Sequence, residues 1–397
     1  MSTLSQRVKN LSPSATLAMA QKSAELKEKG FDVINLSIGQ PDFLTPKSIK
    51  EAGKKAIDNN FTTYSPVAGY MDLRKAIAEK LKKENGLDYA PSQIVCSNGA
   101  KQSICNALLS IINPGEEVII PSPYWVSYVE MVKLADGVSK IVNTTIEQNF
   151  KLSPKQLEEA INEKTKALVL CSPSNPTGAV YSKEELEGLA NVLLRYPNII
   201  IISDEIYEHI NYIGGHQSIA QFKELKDKVV LVNGVSKAYS MTGWRLGYIA
   251  TSQEIASACN KLQGQYTSGP CSISQKAALE AYMGSQSCVE EMRMAFERRR
   301  NLIVQLAKGI DGFEVNQPEG AFYLFPRVKF YFGKSYEGMK IENADDLALF
   351  LLEKAQVASV GGGSFGDNEC IRFSYATSDE DLKRAFGRIK AALSLLK

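Results

Sequence analysis

Lys237 stands in S-K-A-Y-S-M-T-G-W-R, residues 236–245, among small hydroxylated residues and a glycine, with Arg245 closing the run. An amine in that company is suited to meet a carbonyl lying beside a phosphate. Lys237 would form a Schiff base, while the Ser236 hydroxyl and the Arg245 guanidinium would hold the phosphate as neutral donor and charged fork. Pyridoxal phosphate is the common cofactor that carries both an aldehyde and a phosphate. An isolated serine–lysine pair after a strand would mean little, but four other segments point to the same cofactor.

Asp204 ends an apolar run in I-I-I-I-S-D-E-I-Y, where a carboxylate is costly unless a cation faces it. The protonated nitrogen of a pyridine ring is such a cation, and Asp204 would keep it charged so that the ring serves as an electron sink. A lysine or arginine salt bridge is the alternative partner. Tyr207 would donate to the ring's phenolate oxygen, whereas Glu205 reads as structural. Asn175, in S-P-S-N-P-T-G, lies between two prolines that stiffen its loop, so its amide can be held toward a ring substituent. The same letters also make a plain turn. Trp125, in P-S-P-Y-W-V-S-Y, can stack on a planar ring or fill a core. Gly99 and Ala100, in S-N-G-A-K-Q, open a helix whose N-terminal N–H groups form a natural anion site.

These residues need elements to place them. Short apolar runs at Gln93–Cys96, Glu117–Ile120, Ala167–Cys171, Ile199–Ser203 and Val229–Val232 alternate with helical stretches. That alternation predicts buried parallel strands in an α/β layer fold. Ligand groups in such a sheet gather in loops beyond the carboxyl ends of the strands, and the candidates above fall there one after another. An amphipathic helix is expected over Ser14–Lys29 and a long helical stretch over Ser272–Lys308. Then come the strand-like segments F-E-V-N-Q-P-E-G-A-F-Y-L-F-P, A-S-V-G-G-G-S-F-G and E-C-I-R-F-S-Y-A, and a last helix from Asp379. The expected organisation is an α/β/α large domain at 47–285 with a mostly parallel sheet. Residues 1–46 and 286–397 would form a smaller α+β domain, with the N-terminal helix packed on it.

Composition narrows the function. The chain has 397 residues with 44% hydrophobic and 23% charged, and its net charge is +2. That balance gives no electrostatic case for nucleic acid or anionic membranes. The run Arg298–Arg300 follows Glu290, Glu291 and Glu297, and reads as a solvated helix face. Seven scattered cysteines without C-x-x-C spacing argue for reduced thiols in a cytoplasm and against a metal site. Two histidines, His209 and His216, are too few for a histidine-based triad, so proton transfer needs another base.

Taken together, the motifs resemble the class I aminotransferases of pyridoxal-phosphate fold type I, in particular the bacterial aspartate aminotransferase branch, some members of which accept prephenate. The likeness runs from S-P-S-A-T-L-A near Ser12 to the last helix. It implies that Lys237 is the Schiff-base lysine, Asp204 pairs with the pyridine nitrogen, Tyr207 and Asn175 contact the ring oxygen, and Trp125 stacks on the ring. Ser236, Arg245 and the Gly99–Lys101 turn would hold the phosphate. Tyr64, in T-T-Y-S-P-V-A-G-Y, matches a tyrosine that reaches the phosphate of the neighbouring subunit, which implies a homodimer with shared sites. Arg372, in I-R-F-S-Y-A, and Gly39, in G-Q-P-D-F, match contacts to the substrate α-carboxylate, with Trp125 and Asn175 also beside the substrate. Lys101 matches the lysine that meets a distal carboxylate. The implied reaction moves the amino group of aspartate or glutamate to a 2-oxo acid such as 2-oxoglutarate. Relatives often read G-E-P-D-F-D-T-P where this chain has Gln40 and Leu44 near the expected substrate entrance, so its range can differ.

Other amino acids, prephenate, or a lyase or synthase reaction on the same scaffold are the alternatives. A nicotinamide-dependent dehydrogenase would need a helix after the G-x-G-x-x-G match at Gly361–Gly366, and a strand-like segment follows instead. A ligand-sensing regulator would need a basic DNA-binding module, which Met1 to Pro46 is too short to supply.

Overall fold

The computed structural model describes residues 3–397, so Met1 and Ser2 of the expected 1–46 segment lie outside the described residues. A short strand β1 (Ile34–Asn35) is followed by those of a seven-stranded sheet: β2 (Ile94–Ser97), β3 (Glu117–Ser122), β4 (Val138–Asn143), β5 (Thr165–Cys171), β6 (Ile200–Asp204), β7 (Val229–Gly234) and β8 (Gly247–Ala250). Across the sheet the order is β2-β8-β7-β6-β5-β3-β4. The strands β4, β3, β5, β6 and β7 pair in parallel. β8 returns directly after the Lys237 loop without a crossover helix, so it pairs antiparallel with β7 and with β2. Two reversals cancel, and β2 points the same way as the parallel set. All five expected runs therefore present their carboxyl ends on one side.

Alternation along the strands builds two core layers. On β6 and β7, Ile201, Val229 and Leu231 face one apolar cluster, and Ile202, Val230 and Val232 face the other. Each such side chain contributes about 1.5–3 kcal/mol on burial. The first layer is covered by helices including Met71–Asn85, Lys183–Leu193 and Ser272–Met283, and the second by Ala100–Ile111, Ser127–Leu134 and Gln253–Tyr266.

Most of the apolar residues outside the sheet's two layers, with Ile206, Tyr207 and Ile210 from beyond β6, form a third cluster, and Val360 and Phe365 join Val126 and Phe150 in a fourth. This region holds a three-stranded antiparallel sheet of Val360–Gly361, Ile371–Ser374 and Tyr323–Leu324. β1 pairs in parallel with Val357–Ala358, and the helix Ala15–Glu28 packs on that neighbourhood. The expected stretch Ser272–Lys308 is two helices, Ser272–Met283 and Ser287–Lys308, interrupted at Gly284. The last helix, Asp379–Leu393, starts at Ser378, whose side chain accepts from the Asp381 N–H. Three acidic residues in its first turn complement the helix dipole. The Gly361–Gly366 segment leads into the strand Ile371–Ser374 rather than a helix. Among the described residues, no helix is long and apolar enough to cross a membrane.

Candidate active site

Beyond the carboxyl ends of β2, β3, β5, β6 and β7 lies a cavity of about 370 Å³. Ala100, Lys101, Trp125, Asn175, Asp204, Tyr207, Ser236, Lys237 and Arg245 all line it, and Gly39 and Arg372 join them from outside the main sheet. Gly99 stands at its edge as N-cap of the helix Ala100–Ile111.

Close packing shapes the anion turn. Gly99 has φ +84°, and a Cβ there would lie 2.5 Å from Arg245 Nη2. A Cβ on Gly247 would lie 2.2 Å from the Ala100 backbone nitrogen. Glycine at both places lets β8 and the guanidinium reach a helix N-terminus. Arg245 donates to Thr242 O at 2.9 Å and Asn98 O at 3.2 Å, which fixes the fork against the turn while leaving further N–H donors.

Asp204 is buried, and its Oδ2 accepts from the Tyr128 hydroxyl at 2.6 Å while Oδ1 takes the Ile206 N–H at 3.3 Å. Burial pushes its carboxyl up to about 6, against the pull of those two donors. No lysine or arginine among the described residues makes a salt bridge to it, so the alternative partner expected from sequence is not formed. Lys237 donates from Nζ to Gly39 O at 2.6 Å. Burial, then the cations Arg372, Arg245 and Lys101, bring its amine down to about 8, with Asp204 opposing. The Tyr207 hydroxyl meets the Tyr323 hydroxyl at 2.8 Å.

Arg372 is 1% exposed. It donates to Asn175 Oδ1 at 2.8 Å and Ser37 O at 2.6 Å, and lies over the rings of Tyr323 and Phe365. Its Nε has no partner among the described residues, and no protein carboxylate neutralises it. Such a buried guanidinium is matched to an incoming carboxylate. Lys101 Nζ sits 5.0 Å from the Trp125 ring centre, its amine lowered by burial and by Arg245.

A carboxylate without a protein cation, a lysine amine near neutrality, and an arginine beside a helix N-terminus fit the ring nitrogen, aldehyde and phosphate of pyridoxal phosphate. Tyr64 is not brought to this cavity: it is 97% exposed and lines a separate groove with Phe61, Ser65 and Cys271. Gln40 lines the cavity, whereas Leu44 lies outside it, 82% exposed. Tyr128 and Tyr323 escaped the sequence reading. Tyr128 carried one signal, its i,i+3 spacing from Trp125 in W-V-S-Y, and the two rings meet edge-on where the helix Ser127–Leu134 begins. Tyr323 carried none beyond the alternation of A-F-Y-L-F.

The charged run Arg298–Arg300 departs from expectation. Arg298 is solvated, but Arg299 and Arg300 turn inward and are buried. Both histidines lie in another network behind Asp204. There Glu208 takes hydrogen bonds from Lys80, Asn85 and Asn233, His209 meets Glu84, and His216 meets Glu205. Neither histidine lines the cavity, whose amines are those of Lys237 and Lys101.

Comparison with known proteins agrees with this geometry. Residues 31–389 match the family described as aminotransferase class I and II. The bifunctional aspartate aminotransferase and glutamate/aspartate-prephenate aminotransferase of Petunia hybrida is 50% identical over 99% of this chain and 83% of its own length. A probable aspartate/prephenate aminotransferase of Rickettsia felis is 48% identical, covering 99% of this chain and 97% of itself. Among solved structures, the aspartate aminotransferase of Rhizobium meliloti superposes with a TM-score of 0.96 at 41% identity, covering 100% of both chains. That of Thermus thermophilus with maleate gives 0.93 at 40% identity, covering 99% of this chain and 100% of the other. With the matched region taking in the whole cavity apart from its N-terminal rim, the chain belongs to the class I and II aminotransferases and is a pyridoxal-phosphate-dependent transaminase.

Proposed function

We propose that this enzyme takes its amino group from L-aspartate or L-glutamate and passes it to a 2-oxo acid such as 2-oxoglutarate, by alternating half-reactions. The observation that carries this reading is the pair of cations, Arg372 and Lys101, lining one cavity with the amine of Lys237. Arg372 binds the α-carboxylate as a bidentate fork, helped by the Gly39 backbone, and so orients the Cα–H bond. Lys101 meets the distal carboxylate.

Pyridoxal phosphate supplies the carbonyl that takes up the amino group and the ring that accepts the electron pair. Asp204 would hold the proton on the ring nitrogen, Tyr207 and Asn175 would contact the ring oxygen, and Trp125 would stack on the ring. Ser236, Arg245 and the Gly99–Lys101 turn would hold the phosphate. The Lys237 amine would take up the proton from the substrate Cα and hold it for return. An amine near 8 has a usable neutral fraction at physiological pH.

The exposure of Tyr64 supports a homodimer in which that hydroxyl completes the partner subunit's phosphate site. Two domains, 47–285 and 1–46 with 286–397, and a reducing cytoplasm for the seven free thiols complete the reading. Relatives at 46–50% identity that are aspartate/prephenate aminotransferases favour prephenate as a second amino acceptor. Its own second carboxylate suits the same pair of cations.

The absorption spectrum of the loaded enzyme tests the proposal. A yellow band bleached by L-aspartate and restored by 2-oxoglutarate is the expected result. A yellow band that aspartate leaves untouched refutes the substrate assignment.

A further inference from the structure

The segment from Leu36 to Thr45 borders the cavity through Ile38, Gly39 and Gln40, and is fastened at intervals to distant parts of the chain. Leu36 N donates to Ala358 O and Leu36 O accepts from Ser374 N. Ser37 O and Gly39 O accept from Arg372 and Lys237. At the far end, Thr45 Oγ1 donates to Ser240 O at 2.6 Å and accepts from Trp244 Nε1 at 3.2 Å.

Between these points the fastening is Arg299. Its two terminal nitrogens grip the Asp42 carboxylate at 2.7 and 2.9 Å, a planar fork on a planar acceptor. The guanidinium is stacked 5.0 Å from the Phe43 ring centre and 5.7 Å from that of Phe296, and those rings meet edge-on at 5.4 Å. Arg299 Nε lies 3.6 Å from Asp379 at the start of the last helix. At 7% exposure, its geometry is set by packing rather than by solvent.

We propose that Arg299 is a positioning residue for the α-carboxylate end of the substrate site, acting through Asp42 to hold Gly39 in place. The inference rests on the reading above in which Gly39 meets that carboxylate. Arg299→Lys keeps the charge and loses the fork, and Asp42→Asn removes the anion at a partly exposed position. Two readouts are taken on both variants of the loaded enzyme: amide hydrogen exchange across residues 36–45, and KM with kcat for L-aspartate and L-alanine. The expected result is faster exchange in the segment and KM raised about tenfold or more for both amino acids. The value of kcat and the visible band should change little. The double variant should be no worse than either single one, because the two groups act as a unit. Unchanged exchange with unchanged KM overturns the role of Arg299 and leaves the Gly39 reading intact. Faster exchange with KM unmoved overturns both, and a loss confined to aspartate overturns the assignment to the α-carboxylate end.

Discussion

Replacing Tyr128 by phenylalanine removes one hydroxyl and leaves the ring that packs edge-on against Trp125. The hydroxyl donates to Asp204 Oδ2 at 2.6 Å, and Asp204 is fully buried with a carboxyl near 6. A hydrogen bond to a charged group contributes about 1.5–3 kcal/mol. At about 1.36 kcal/mol per pKa unit, its loss raises the carboxyl by about 1 to 2 units, to between about 7 and 8. Asp204 must be ionised to hold the ring nitrogen's proton, so affinity for pyridoxal phosphate should fall away at a higher pH in the variant. The assay is an absorbance titration of cofactor-free Tyr128→Phe and parent protein across pH 5 to 9. The cofactor's own ionisations are common to both proteins, so the difference in midpoints reports Asp204 alone. Midpoints that coincide within about 0.3 unit would refute the argument that Tyr128 sets this carboxylate.

Lys101→Gln should weaken L-aspartate relative to L-alanine by about tenfold or more in kcat/KM, since a charge-assisted contact is lost for one substrate only. Equal losses for both would remove its assigned role. Gly247→Ala forces a methyl to within 2.2 Å of the Ala100 nitrogen, and equilibrium dialysis should show pyridoxal phosphate bound about tenfold more weakly or worse. Lys237 has a folded pKa below its unfolded value of 10.5. Its contribution to stability is thus present above 10.5 and lost as pH falls through about 8. Denaturant midpoints of the cofactor-free protein should carry a rising slope across that window, and Lys237→Met should flatten it. Glu208→Ala strands the buried Lys80 ammonium and should cost about 3–5 kcal/mol in denaturant unfolding. Adding Lys80→Met to Glu208→Leu should recover most of that loss.

Legibility from sequence followed how local each signal was. The five buried strands stood out because both faces of each are covered, giving continuous apolar runs. β4 was overlooked because it is a sheet edge, and its V-S-K-I-V-N is partly exposed throughout, with neither a continuous apolar run nor an alternation. β8 was overlooked because G-Y-I-A is short and opens on a glycine needed for close approach. Lys237, Asp204 and Asn175 were visible because each follows its own strand within a few residues. Tyr128 and Arg299 were not, because their meaning lies in partners far along the chain, Asp204 and Asp42. A triple arginine beside glutamates carries the letters of a solvated face, and only tertiary packing turns two of its members inward. Tyr64 lies outside its own chain's cavity, so the role proposed for it rests on a second chain.

The pairing of the first strand with nearly the last has a consequence for biosynthesis. β1 has its partner at Val357–Ala358, Ser37 O waits for Arg372 across 335 residues, and the Asp32 carbonyl waits for Arg388 across 356. At roughly 5–20 residues per second, the leading segment leaves the ribosome tens of seconds before these C-terminal partners exist, although its partners Lys237 and Ser240 come earlier. The seven-stranded layer can assemble in that interval, but the contact between Ser37 and Arg372 cannot. On the site assignments proposed above, a nascent chain would build the cofactor's cradle well before Arg372 is there to grip an amino acid.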